Sequence, residues 1–106
     1  MRIVGSLATS ASARWISGRI PNIMHYIYLL KLNDNTIYTG RSDDLKRRIT
    51  EHKQRKVKST KKKLPVLLFY YEAYINKKDV IARELYLKTG DGRREIRKQL
   101  KNTLEQ

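Results

Sequence analysis

The chain has no cysteine. That removes a disulfide framework and any thiolate metal site, so a reducing, cytoplasmic setting is the expectation. Long apolar runs are missing too: none approaches the roughly 18 residues that a membrane helix requires. Acid is scarce. Ten Asp and Glu stand against 24 Lys and Arg, a formal charge of +14 over 106 residues. Such a field favours a polyanionic partner, with nucleic acid first and an anionic membrane surface second. The basic helix also lacks the Trp/Phe face by which membrane-surface helices hold on, which argues against a membrane. The length suits one domain with a single modest core.

What is present divides at residue 23. Residues 1–23 are rich in Ser, Ala, Gly and Arg, with Arg2, Arg14 and Arg19 as the only charges. Apolar residues there follow neither a 2 nor a 3.6 period, so a poorly ordered basic leader is expected. Its composition loosely matches an organellar transit peptide. Met24, immediately before the first regular element, offers a simpler start, and that reading is favoured. Residues 24–106 read as the folded domain.

The domain is organised around Tyr26–Leu32 and Thr36–Gly40, two runs rich in β-branched and aromatic residues on either side of Asn33-Asp34-Asn35. This is a β-hairpin pattern. An odd loop centred on Asp34 sets Tyr28 opposite Gly40 and Leu30 opposite Tyr38, all four on one face. The two tyrosine rings then become diagonal neighbours, with Cα atoms roughly 7–8 Å apart. A two-residue turn would send them to opposite faces, so the functional reading depends on the odd loop.

After the hairpin, Ser42 or Asp43 is expected to cap a helix running to about Lys53. Leu45 and Ile49 form its core stripe, and Arg48 and His52 share an adjacent one. Gln54 to Lys63 is polar and reads as a loop. Leu64 to Tyr74 is the strongest strand, apolar at both parities and so covered on both faces. A helix from about Asn76–Asp79 through Lys88 follows, with Gly90 as its left-handed C-cap. A last helix over about Arg93–Leu104 carries the seam Ile96, Leu100, Leu104. The expected fold is α+β: a small three-stranded antiparallel sheet, the hairpin plus one later strand, flanked by about three helices.

The hairpin resembles the signature of the GIY-YIG nuclease family, its two tripeptides standing here as Tyr26-Ile27-Tyr28 and Tyr38-Thr39-Gly40. The run Gly40 to Ile49, His52 one turn on and Glu84 in a later helix extend the match in the family's order and approximate spacing. Tyr26 stands where the family name has its first glycine, and Thr39 where it has its second isoleucine. The resemblance covers about Met24 to Leu100. It is to small single-domain members, such as the stand-alone bacterial type, and to the nuclease domain of the excision-repair incision protein.

The resemblance implies a metal-dependent endonuclease acting on DNA phosphodiesters, structure-selective and working in DNA repair or recombination. Tyr28, Tyr38, Arg48, His52 and Glu84 are then its catalytic constellation. Glu84 would be the single protein ligand of Mg²⁺ or Mn²⁺, an arrangement Mg²⁺ accepts because it keeps several waters. As a residue of its helix alone, Glu84 reads equally as an i,i+4 partner of Lys88. Arg48 would clamp the scissile phosphate with its fork. Tyr28 and Tyr38 would position or activate a water, with Arg48 and a metal lowering the phenol pKa. Which of the two is the base stays open. His52 reads as a proton shuttle or phosphate contact, or as a helix-surface imidazole. Gly40 would leave room for a phosphate backbone.

Lys46, Arg47, Arg48, Lys53, Arg55, Lys56, Lys58, Lys61, Lys62 and Lys63 face only Glu51 as an acid between residues 46 and 63. Together with Gly40 and Arg41 they form the expected nucleic-acid surface beside the site. With about 6 phosphates contacted, affinity should fall about 10³-fold between 50 and 200 mM salt. The competing reading is a nucleic-acid-binding module with this fold and little or no turnover. A protein partner supplying specificity and the oligomeric state both stay open.

Overall fold

The hairpin closes as an odd loop. In the computed structural model of the chain, which describes residues 2–4 and 24–105, strands β2 (His25–Lys31) and β3 (Ile37–Ser42) pair antiparallel with Tyr28 opposite Gly40 and Leu30 opposite Tyr38. The Leu32 N–H donates to the Thr36 carbonyl at 2.9 Å, and Asp34 Oδ1 accepts from the Thr36 N–H at 3.1 Å. Asn35 takes the left-handed conformation the turn needs, φ 66°, which asparagine tolerates better than most residues. Parity in the loop thus puts both tyrosines on one face.

Strand β4 (Leu67–Tyr74) pairs antiparallel with β2, setting Tyr71 opposite Tyr28. These make the expected three-stranded sheet. A short strand β1 (Arg2–Val4) adds to the outer side of β4, so among the described residues the order is β1-β4-β2-β3 and β3 is an open edge. The rest of the expected leader lies outside the described residues.

Central position explains the burial of β2, where Ile27, Tyr28, Leu29 and Leu30 are each at most 1 % exposed. Odd positions Ile27 and Leu29 join Tyr70, Tyr74, Val80, Leu87 and Ile96 in one core. Even positions Tyr28 and Leu30 join Leu32, Ile49 and Val66 in the other. Each fully buried large aliphatic contributes roughly 1.5–3 kcal/mol.

Helix α1 (Leu45–Lys53) covers the even face and ends where expected. Its N-cap is Asp44, not Ser42 or Asp43. Ser42 closes β3 and its Oγ is engaged by the Asp44 N–H at 3.0 Å, which leaves the Asp44 carboxylate to accept from the Arg47 N–H. The loop after α1 folds back on the hairpin: the Asn33 N–H donates to the Lys63 carbonyl and Asn33 Nδ2 to the Leu64 carbonyl, both at 3.0 Å. Val57 and Thr60 are buried by this return.

Helices α2 (Lys77–Leu87), α3 (Gly90–Gln99) and α4 (Lys101–Leu104) complete the fold, with α2 and α3 contributing Val80, Leu87 and Ile96 to the odd-face core. Gly90 is not the left-handed C-cap of α2. It is the first residue of α3, because Thr89 Oγ1 accepts from the Gly92 N–H and so caps the next helix three residues before the expected start. Gly92 has to be glycine: a Cβ there would lie 1.9 Å from the Tyr86 carbonyl oxygen, inside the α2–α3 contact. Leu100, off helical geometry with ψ 24°, divides the expected last helix in two. Among the described residues, no helix is long and apolar enough to cross a membrane.

Candidate active site

Tyr28, Tyr38, Arg48 and His52 converge on the even face, under α1. His52 and Tyr28 are fully buried, and the Tyr28 hydroxyl meets His52 Nε2 at 2.8 Å. On its other side, His52 Nδ1 meets Thr60 Oγ1 at 2.7 Å. The returning loop therefore has a function: it brings Thr60 to fix the imidazole. Arg48 lies near enough to the Tyr28 phenol to act on its pKa. The Tyr28 phenol keeps its proton and donates it to Nε2 in the tautomer whose Nδ1–H donates to Thr60 Oγ1.

Gly40 makes this arrangement possible in a way not foreseen. It is buried beneath the Tyr28 ring, and a Cβ at position 40 would lie 2.3 Å from Tyr28 Cζ. The missing side chain leaves room for the Tyr28 ring.

Burial decides the electrostatics. It pushes the Tyr28 phenol up to about 12, outweighing the nearby Arg48 that lowers it. The expected lowering by Arg48 is therefore present but does not win. Burial also holds His52 below the usual imidazole range, helped by Arg48 and opposed by Glu51. Both groups are accordingly neutral at pH 7. Arg48 stays charged: burial works against it, and the Tyr28 and Glu51 contacts outweigh burial.

The site is open at two points. Arg48 donates from one terminal nitrogen to Glu51 Oε1 at 3.1 Å, and a third of its side chain remains exposed. Tyr38 is half-buried, its ring centroid 5.3 Å from that of His52 and 6.3 Å from that of Tyr28. Of the two tyrosines, Tyr38 is the one in reach of solvent.

Glu84 is not part of this cluster. Arg41 lies opposite Ile27 and so on the odd face, and Glu84 on α2 meets it there: Oε1 accepts from Arg41 Nε at 3.2 Å and Oε2 from Lys88 Nζ at 3.4 Å. The open edge of β3 is what separates the two. A groove of about 550 Å³ runs along that edge, lined by Tyr38 from one face and by Lys88, Arg93 and Arg97 from the other. Arg93 and Arg97 were missed in the sequence, although their i,i+4 spacing on α3 beside Ile96 places them on one flank. Among the described residues, no three His, Cys, Asp or Glu gather as a metal cluster. Glu84 nonetheless fits a Mg²⁺ held by one carboxylate, waters and substrate phosphate. Its present partners are flexible cations, 37 % and 51 % exposed, that can swing away.

A second buried polar centre was also missed. Glu72, fully buried in β4, accepts from Tyr70 (2.7 Å), Tyr74 (2.6 Å) and both sides of the Arg83 fork (2.9 Å each). Burial alone would raise its pKa; Arg83 and the two phenols reverse that and hold it below the usual carboxylate range. An acid in the middle of the most apolar strand was the available signal.

Of the expected nucleic-acid surface, Lys46, Lys53, Arg55, Lys56, Lys58, Lys61 and Lys62 are exposed. Arg41 is tied to Glu84, Arg47 to Asp43, Asp44 and Glu51, and Lys63 to Asp34.

A basic α+β domain with Tyr, His and Arg gathered beside an open sheet edge is the class of catalytic domain that the tripeptide signature resembles. Residues 24–97 match the family profile described as the GIY-YIG catalytic domain, and the chain belongs to the GIY-YIG family, a family of nucleases. A UPF0213 protein of Staphylococcus epidermidis is 39 % identical over 66 residues, covering 61 % of this chain and 80 % of the relative. One from Clostridium perfringens is 39 % identical over 66 residues, covering 61 % and 71 %. One from Staphylococcus aureus is 34 % identical over 74 residues, covering 69 % and 90 %. The solution NMR structure of a UPF0213 protein from Bacillus halodurans is 29 % identical with a TM-score of 0.46, covering 69 % of this chain and 81 % of that one.

Proposed function

We propose that the protein is a divalent-metal-dependent endonuclease that hydrolyses DNA phosphodiesters at the open edge of β3. The observation that carries this reading is the buried hydrogen-bonded chain Tyr28, His52, Thr60, with the half-buried Tyr38 ring packed against Tyr28 and His52 and the partly exposed Arg48 on the same face. The DNA backbone lies along the β3 edge, where Tyr38, Arg93 and Arg97 line the groove, with the partly exposed Arg48 on the even face. Arg48 holds the scissile phosphate and stabilises the charge that grows on it. Tyr38 orients the attacking water. The proton leaves that water for Tyr38, the Tyr38 proton passes to Tyr28, and the Tyr28 proton passes to His52 Nε2. No free phenolate is required, which suits a phenol raised to about 12. Glu84, released from Arg41 and Lys88, would hold Mg²⁺ or Mn²⁺, which supplies charge neutralisation at the phosphate oxygens.

A structure-selective substrate, and with it a role in DNA repair or recombination, is part of the proposal: among the described residues lining the groove, none is set to read base edges in the manner of a recognition helix. The alternative is a DNA-binding module with little turnover, favoured by the closure of Glu84 between two cations. Cleavage of single-stranded, duplex, flap and branched DNA with Mg²⁺ or Mn²⁺ separates the two. Cleavage lost with EDTA and in Glu84→Ala, with DNA binding retained, is the expected result. Binding without cleavage on every substrate would favour the alternative.

A further inference from the structure

The first position of the family signature has been left without a role: Tyr26 stands where the name has glycine. Its ring meets Tyr71 edge-on, centroids 6.2 Å apart and planes at 62°. An edge-to-face pair occupies one ring face and one ring edge, so further faces remain for stacking. Both tyrosines are only half-buried and line a groove of about 630 Å³ floored by Leu45, Ile49 and Leu68. Lys46 and Lys53 border it along α1, while Asp43 and Asp44 border its N-terminal end.

The groove is distinct from the candidate active site. Leu45, Lys46, Ile49 and Lys53 share one flank of α1, whereas Arg48 and His52 occupy the flank toward β3. Tyr71 and Leu68 belong to β4, on the far side of β2 from Tyr38. A nucleotide here is therefore not the one being cleaved.

We propose that this groove holds an unpaired base of a single-stranded DNA segment, stacked on Tyr26 and Tyr71 with its phosphates toward Lys46 and Lys53. Three observations converge on that occupant. Its volume lies in the range of small-molecule sites, enough for one nucleotide. Aromatic faces accept any base, and lysines beside them meet its phosphates, the pairing used by single-strand-binding surfaces. The formal charge of +14 selects a polyanion over a neutral or acidic-poor ligand. Asp43 and Asp44 do not oppose this, because both are engaged by Arg47 and sit at the end away from Lys53. Their oxygens suit exocyclic amino groups of a base. The inference deepens the nuclease reading by naming what it selects, DNA with unpaired bases, and rests on that reading for the substrate class.

The test is fluorescence anisotropy in EDTA with a labelled short oligo-dA, an abasic strand of equal length and a blunt duplex. The wild-type chain should prefer the base-bearing strand over the abasic one by about tenfold or more. Tyr26→Leu, which keeps apolar bulk without a π face, should erase that preference while leaving abasic-strand and duplex affinities unchanged. Tyr26→Phe should retain it. Equal affinity of the wild-type chain for the two single strands overturns the inference without any variant; so does a preference that survives in Tyr26→Leu. Because binding is read without divalent metal, a chain that cleaves nothing gives the same result, and failure of the nuclease reading shows separately.

Discussion

The two faces of the sheet each bury a titratable group among tyrosines, and they do so in opposite ways. On the odd face, Glu72 is ionised and closed in: two phenols and both sides of an arginine fork saturate its oxygens. On the even face, His52 is neutral and hydrogen-bonded to Tyr28 and Thr60, with a half-buried tyrosine ring and a partly exposed arginine on the same face. A buried charge with every lone pair matched has nothing left for a ligand, so it serves architecture. A neutral hydrogen-bonded chain beside a half-buried phenol can move a proton without moving atoms far, which is the use the nuclease proposal makes of it.

Two arginines give the sharpest contrast. Arg83→Ala leaves Glu72 buried without its cation and should lower stability by about 3–5 kcal/mol, read by chemical denaturation. Arg48→Ala should leave stability within about 1 kcal/mol, since its ion pair with Glu51 is partly exposed. Cleavage measured under single-turnover conditions should instead fall about 10²–10³-fold. If Arg48→Ala unfolds the chain, the even-face chain is architecture as well, and the contrast fails.

Gly40→Ala probes the seat of Tyr28. The new methyl would meet the ring at 2.3 Å, and Tyr28 is fully buried, so the ring cannot yield without leaving His52. Overpacking of this kind costs about 1–3 kcal/mol. Activity should drop further than stability explains, because the displaced hydroxyl no longer reaches Nε2. Full activity in a stably folded Gly40→Ala chain would remove Tyr28 from the proton path.

The pH profile of kcat/KM tests which group takes the proton. A base must be unprotonated, so activity should be flat above the His52 pKa and fall about tenfold per unit below it. Burial and Arg48 hold His52 below its ordinary value. The acid limb should therefore begin below about 6.5, the reference value for histidine. A Tyr28 phenolate acting as the base would behave differently. With the phenol near 12, activity would climb about tenfold per unit through neutral pH and beyond. The same His52 shift carries a stability term. Its folded value is depressed, so the neutral native state loses stability as pH falls from about 6.5 toward the folded value, and thermal melts across that window should show it.

Much of this was legible in the sequence because parity is a strong constraint. An odd loop centred on Asp34 suffices to pair Tyr28 with Gly40, and the paired apolar parities of β4 suffice to place helices on both faces. What escaped depends on partners distant in the chain or on burial. Glu72 finds Arg83 eleven residues on and in another element, a contact no local pattern announces. The use of Gly40 requires knowing how the Tyr28 ring lies across it. The Tyr28 pKa was weighed from the neighbouring charge, and full burial reversed the balance. At Gly90 two local signals competed, a glycine C-cap and a threonine N-cap, and the threonine hydroxyl prevailed because it serves both helices: it accepts from Gly92 and donates to the Tyr86 carbonyl.

The smallest effect bears on Glu84, which belongs to neither class. Unlike Glu72 its side chain retains 17 % exposure, and its cations lie on the surface, Lys88 half exposed. An i,i+4 pair of that kind is worth about 0.3–0.5 kcal/mol, so Lys88→Ala should shift stability by no more than that. Equilibrium urea unfolding has the resolution to distinguish this from a structural bridge if the two chains are compared side by side. A carboxylate so weakly held is free to exchange its partners for a metal ion at little cost to the fold, as the nuclease reading requires. A loss above about 1.5 kcal/mol in Lys88→Ala would instead put Glu84 with Glu72, as a charge kept for architecture, and the metal would need another ligand.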